Sequence, residues 1–443
     1  MELVVLFGVF ATLLVLGVPI AFTLGVSAFA TVLYLDLPPM VVFQRMAAGM
    51  NVFALMAIPF FIYAGEVMLH GGIADRLVRL ASAVIGHVRG GLGLVNVLAS
   101  MLFGGISGSA VADVSALGST LIPMMRKKGY DADYAVNVTV TSATIGLVIP
   151  PSHNMIIYSI AAGGTVSVSS LFLAGVIPGV LSGLCLMVAA YVVAIKRGYP
   201  REAFPGVAAL IIAFATALPG LITAVIIIGG VLSGIFTATE SSSVAVIYAL
   251  IVTAFAYRSL SLKDFLTATV SAVKTTAMVL MVIGTAAAFG WLLALTQVPA
   301  QLFELMKTIS DNPLVILLII NVILLFLGTF MDMSPLIVIT TPIFLPVVKA
   351  LGMDPVQFGI VMMINLGLGL VTPPVGAVLF VGCAVAKIRI EDTLKSVWPF
   401  YLAILGALLL VTYFPAISIL PSLGLGGSMN RETRMPASPR AET

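Results

Sequence analysis

Charge is what this sequence has least of. Only 9% of its 443 residues are charged, against 60% hydrophobic, and the mean hydropathy is +1.19. A soluble domain needs far more polar surface, so a water-soluble fold is excluded. Cysteine is scarce too: Cys185 and Cys383 both lie in apolar runs, which leaves no disulfide framework and no CxxC metal site. The histidines His70, His87 and His153 have no ligand-like spacing. No GxxxxGK[ST] occurs, so ATP hydrolysis by that route is excluded. A membrane-embedded enzyme would need a nucleophile, a metal cluster or an acid–base pair, and none stands out. The net charge of +3 sits in loop lysines and arginines, which report topology and not a nucleic-acid partner. The opening MELVVLFGVF lacks a basic n-region and a cleavage site and reads as an uncleaved helix.

What is present is a series of apolar runs of membrane-spanning length, with the few charges between them. The chain therefore reads as a polytopic, all-α membrane protein. The run 3–33 is longer than one crossing needs and predicts a tilted or kinked helix. An amphipathic piece over 38–50 and a span over 51–69 follow. Residues 91–125 are again too long for one crossing and hold the small-residue cluster GGISGSA. Arg89 precedes this run, and Arg126, Lys127 and Lys128 follow it, so both ends belong on the cytoplasmic side. That predicts a re-entrant hairpin with its tip at Ser107-Gly108-Ser109; the alternative is one long helix with a small-residue packing face.

The stretch on which the rest turns occurs twice: GLVIPP at Gly146–Pro151 and GLVTPP at Gly369–Pro374. Proline has no N–H, so each Pro-Pro strips partners from carbonyls four residues back, those of Gly146, Leu147, Gly369 and Leu370. Such carbonyls cannot face lipid. Two broken helices are predicted, over 135–162 and 357–386. A second over-long run, 313–348, is interrupted at GTFMDMSP and predicts a second hairpin. Between the halves lie a span over 170–195, an apolar region 206–257 with room for two crossings, and a span over 275–295. Arg258, Lys263 and Asp264 are assigned to the loop before that last span. A final crossing over 398–419 precedes a polar tail, 426–443, expected to be disordered.

An offset of 223 residues lays Pro123, Gly129 and Asp131 on Pro346, Gly352 and Asp354, and Gly146, Pro150 and Pro151 on Gly369, Pro373 and Pro374. The loop charge bias reverses between the paired loops. This pattern predicts an inverted-topology repeat: residues 1–205, then a linker helix and second repeat over 206–425. The N-terminus is expected in the cytoplasm and the C-terminus outside it.

The four polar turns should meet near the bilayer midplane. The first hairpin offers Ser107, Ser109 and Asp113, and the broken helix opposite offers Gly146, Ser152 and Asn154. The second hairpin offers Gly328, Thr329 and Asp332, with Gly369 and Thr372 opposite. Hydroxyls and freed carbonyls suit Na⁺, while half-helix N-termini suit a carboxylate. Ser109, Ser152, His153, Asn154 and Thr329, with the turn prolines Pro151 and Pro374, are the residues placed against substrate. Each has a plainer reading. Ser107 and Ser109 suit close helix approach or turn capping, Asp113 and Asp332 suit helix caps, and His153 suits a packing role. Glu240 is the only ionisable residue in its apolar region, which marks it as functional, yet Thr237-Ala-Thr-Glu240 also fits a capping box.

The stretches AIPFFIYAGEVM (57–68), GGISGSAVAD (104–113), IPPSHNMIIYS (149–159), GIFTATESSSVAV (234–246) and FGIVMMINLGLGLVTPPVG (358–376) resemble the large membrane subunit of tripartite ATP-independent periplasmic (TRAP) transporters, the DctM/SiaM type. The resemblance spans nearly the whole chain in order. Asp113 departs from it where a small or hydroxyl residue is expected, and His153 where an aliphatic one is. It implies an elevator-type, Na⁺-coupled importer of organic acids in the bacterial inner membrane. A periplasmic binding protein would deliver the substrate, and a separate small subunit of about four helices would brace the scaffold. It further implies that Ser107, Gly146 and Pro150 belong to one Na⁺ site, and Gly328, Gly369 and Thr372 to the other. No organic cofactor is implied. The competing reading is a stand-alone divalent-anion/sodium symporter, which shares the paired hairpins but needs no binding protein.

Overall fold

The computed structural model describes residues 1–419, apart from the side chains of residues 105–107. The expected tail at 426–443 lies outside the described residues, as does the Ser107 side chain. Among the described residues the fold is helical, without a β-strand. Six helices are long and apolar enough to cross a bilayer, or seven if one bent pair is counted as a span.

The first apolar run forms two short helices, α1 (Glu2–Val15) and α2 (Ile20–Tyr34), packed on each other, where one kinked helix was expected. The reason is local: Gly17 takes φ +77, and Pro19 cannot donate to the turn before it. After α3 (Met40–Met50) come α4 (Ala57–His70) and α5 (Ile73–Ile85). Helix α5 is amphipathic, with Ile73, Leu77, Leu80 and Ala81 buried at helical spacing and Asp75, Arg76 and Arg79 between them. Arg76 stacks over the Tyr257 ring at 3.7 Å, which ties this polar face to the far end of the chain's middle section.

Helices α6 (Gly91–Ser107) and α7 (Ala110–Lys127) are joined by Gly108 and Ser109 alone and pack on each other. Next, α8 (Ala132–Ala143) runs through a 3₁₀ turn at Thr144–Leu147 into an irregular stretch, and α9 (His153–Ala161) resumes after it. The long α10 (Val168–Lys196) leads to α11 (Val207–Leu232) and α12 (Ala238–Ile251), so 206–257 holds two helices. Helix α13 (Leu262–Leu295) starts before the expected span because Ser261 caps it; Lys263 and Asp264 belong to its first turn, not to a loop. Helix α14 (Val298–Ile309), ahead of the predicted second hairpin, bends by 120° into α15 (Pro313–Gly328). Residues 329–332 connect α15 to α16 (Met333–Ala350). Helices α17 (Pro355–Leu370) and α18 (Ala377–Ala386) flank the second Pro-Pro turn; α19 (Ile390–Leu394) and α20 (Trp398–Tyr413) follow, with a last helical turn over 416–419.

Burial orders these helices. Every residue of α17 from Gln357 to Leu370 is buried, and so is α8 from Tyr134 to Ala143. A helix covered on all sides is a core helix. By contrast α10 and α11 expose Leu184, Val188, Ile211, Ile212 and Val225, an apolar surface that lipid must cover.

The core is pinned by polar contacts that water cannot replace. Asn96 of α6 donates to Thr139 of α8 at 2.6 Å and accepts from Ser142 at 3.2 Å. In the second half, Asn365 of α17 donates to the Asn321 side chain of α15 at 2.8 Å. Each half therefore fastens its first hairpin helix to the helix leading into its break through an asparagine.

Candidate functional site

Two glycine contacts set the geometry. A Cβ on Gly146 would lie 2.4 Å from the Gly104 Cα and 2.8 Å from the Asp113 Oδ2. A Cβ on Gly369 would lie 2.6 Å from the backbone of Gly328. In each half, the hairpin backbone touches the backbone of the helix break with no room for a side chain. Asp113 is 1% exposed at this first contact.

The turn of the first hairpin is a left-handed glycine, Gly108, at φ +63, beside His153. Ser109 caps α7, its oxygen accepting from the Ala112 N–H. The break opposite holds Pro150-Pro151 with a cis peptide, as does Pro373-Pro374 in the second half. Ser152 occupies the N-cap position of α9, fully buried, and its hydroxyl has no hydrogen-bond partner among the described residues. Asn154 donates to the Gly108 carbonyl at 3.2 Å and accepts from Ser334 of α16 at 3.1 Å. That side chain joins the first hairpin, the first break and the second half.

In the second half the Thr329 carbonyl accepts from the N–H groups of Val375 and Gly376 at 3.2 and 3.3 Å. The hairpin connection is thereby clamped to the turn that contains Pro374. Thr372 donates its hydroxyl to the Leu368 carbonyl at 2.7 Å, and its N–H reaches the Gly369 carbonyl at 2.9 Å. The expectation that this carbonyl is left bare by Pro373 is thus corrected: a 3₁₀-type contact engages one of its lone pairs. Tyr401 of α20 donates to the Val371 carbonyl. Asp332 is the N-cap of α16, its carboxylate accepting from Met333 N–H at 2.9 Å.

Glu240 lies elsewhere. It is exposed and completes the capping box of α12, with its carboxylate on Thr237 N–H at 2.8 Å. Two of the side chains that shape the site, Glu66 and Thr275, carry no local mark in the sequence. A cavity of about 210 Å³ opens between the start of α7, with Ser109 and Ala112, His153, and the helices α4 and α13, which contribute Glu66 and Thr275. Glu66 accepts from Ser271 at 2.8 Å and lies 3.6 Å from the His70 ring nitrogen. Glu66 belongs to AIPFFIYAGEVM (57–68), whose apolar pattern does not say which way it faces.

Away from the site, Arg197 makes hydrogen bonds of 2.8–2.9 Å with Asp131 and Asp133. Burial pushes the Asp133 carboxyl up, but its bonds from Arg197 and Ser396 outweigh this and hold it below its usual value.

Residues 7–417 match the family described as the tripartite ATP-independent periplasmic transporter, DctM component. The chain is 46% identical to the uncharacterized protein YgiK of Salmonella typhimurium, over 94% of this chain and 96% of that one. It is 40% identical to the sialic acid TRAP transporter large permease protein SiaM of Vibrio cholerae, over 94% and 97%. The crystal structure of the Alcanivorax borkumensis YdaH transporter shares the fold, with a TM-score of 0.62 at 14% identity over 88% of this chain and 89% of that one. With helices of spanning length, two Pro-Pro helix breaks and a family match over almost its whole length, this multi-pass membrane protein belongs to the DctM component family of TRAP transporters.

Proposed function

We propose that the chain is the large membrane subunit of a Na⁺-coupled importer of an organic acid in the bacterial inner membrane. It works with a small four-helix subunit and a periplasmic binding protein that hands over the substrate. Its N-terminus is cytoplasmic and its C-terminus periplasmic. The observation that carries this reading is the junction at Asn154, which ties the first hairpin turn at Gly108 and the buried first break to Ser334 of the second half. Broken helices meeting at depth give a transporter its ion and substrate sites.

The donor set fits Na⁺. The backbones at Gly104–Gly146 and Gly328–Gly369 approach closely, with the Asp113 carboxylate oxygen at the first contact and the Gly328 carbonyl oxygen at the second, both hard oxygen donors. Ser107, Gly146 and Pro150 would hold one ion, and Gly328, Gly369 and Thr372 the other. A bound Na⁺ supplies positive charge that a carboxylate needs at this depth. The N-terminus of α9, with the buried Ser152 hydroxyl, faces the carboxylate. Both hairpins and both broken helices form the moving body of an elevator, while α4 and α13 belong to the static wall.

Thermal unfolding of the purified complex in Na⁺ against K⁺ tests the ion sites. Na⁺ alone should raise the midpoint, by mass action on the folded form, and Thr372→Val should reduce the rise. Equal midpoints in the two salts would contradict the assignment.

A further inference from the structure

The cavity beside the first hairpin has two chemically different walls. On one side are the starts of α7 and α9, with Ser109 and His153 lining the space beside the apolar Val111 and Ala112. Two helix N-termini and their N–H groups make this an anion wall. On the other side stand Glu66 of α4 and Thr275 of α13. The Glu66 side chain is 16% exposed, and its identified contacts are the Ser271 hydroxyl at 2.8 Å and His70 at 3.6 Å. A carboxylate offers about four lone-pair sites, so acceptor capacity remains toward the cavity.

From this we infer that Glu66 and Thr275 are the specificity wall of the substrate site, and that the site takes a hydroxylated monocarboxylate. The inference rests on the transport reading above. The single carboxylate of the substrate goes to the N-termini of α7 and α9, and its hydroxyls donate to Glu66. A dicarboxylate would bring its second negative charge toward the Glu66 carboxylate inside a partly enclosed space, where like charges repel more than in open water. A plain fatty acid would leave Glu66 without the hydroxyl it is placed to accept, and a site built for a hydroxyl discriminates strongly against its absence.

The test is thermal unfolding of the purified complex of this chain with its small subunit, in NaCl, against graded gluconate, succinate and butyrate. The binding protein is left out, so any preference belongs to the membrane chain. Gluconate should stabilise most strongly and succinate least. Glu66→Gln removes the charge but keeps an acceptor, and should lower the gluconate-to-succinate preference by about tenfold, one charge-assisted contact's worth. Thr275→Val should weaken gluconate without favouring succinate. Succinate binding as well as gluconate, or an unchanged preference in Glu66→Gln, would overturn the Glu66 assignment while leaving the transport reading intact. If Glu66→Gln does not fold, the wild-type preference and Thr275→Val still decide. No acid stabilising a wild-type complex that does respond to Na⁺ would instead overturn the substrate site itself.

Discussion

The Ser334 hydroxyl donates to the Asn154 side-chain oxygen at 3.1 Å, although the two residues stand 180 positions apart. Ser334 lies in the first turn of the helix after the second hairpin connection, and Asn154 in the first turn after the first helix break. The same amide holds the Gly108 carbonyl with its other end. Asn154→Ala strands both partners in a buried place, which costs about 1–3 kcal/mol, whereas Ser334→Ala costs about 1 kcal/mol. Unfolding of the two variants should rank them in that order, and substrate uptake should fall more in the first.

The glycine contacts make a sharper claim. Gly146→Ala and Gly369→Ala would push a methyl against backbone atoms that cannot swing away. Overpacking of this kind costs about 1–3 kcal/mol, and it parts the hairpin from the break where ion and substrate are held. Both variants should lose uptake while still reaching the membrane. Gly8→Ala, where an added Cβ meets nothing within 4 Å, should behave as wild type.

Asp133 sets a pH dependence. Its carboxyl is held below its unfolded value, so its contribution is present above that value, about 3.9, and lost as pH falls through the folded one. The unfolding midpoint of wild type should therefore exceed that of Asp133→Asn by a constant margin near neutrality. The margin should shrink on acidification below about pH 4. A margin that grows on acidification would reverse the sign of the argument.

Glu240 is the candidate whose cap role is reciprocal, as one half of a complete capping box. Because its carboxylate and Thr237 satisfy each other's backbone N–H groups, Glu240→Gln should keep the box and leave uptake unchanged. Glu240→Ala should lower the unfolding midpoint. Loss of uptake in Glu240→Gln, with normal unfolding, would restore a functional role for the charge.

The parts of the site that were legible in the sequence are those that leave backbone marks. Pro-Pro after Gly-Leu-Val announces a helix break wherever it stands, and its recurrence at one offset announces a second. Thr237 and Glu240 announce a helix start by spacing alone. The rest depended on packing between distant segments. Glu66 lies on a helix with an unremarkable apolar pattern, and only the approach of α7, α9 and α13 makes its carboxylate a cavity wall. Likewise, nothing local to Asn96 or Asn365 says that each fastens a hairpin to a broken helix. The break at Gly17-Val18-Pro19 was visible, but not that the halves would fold back as two helices; that depends on what α1 finds to pack against.

Na⁺-coupled handover from a binding protein is open to an uptake measurement. Proteoliposomes containing this chain and its small subunit would be offered radiolabelled organic acids, with and without an inward Na⁺ gradient, and with and without the cognate binding protein. Accumulation is expected only when gradient and binding protein are both present. Accumulation driven by Na⁺ alone, without the binding protein, would contradict it and favour a stand-alone symporter.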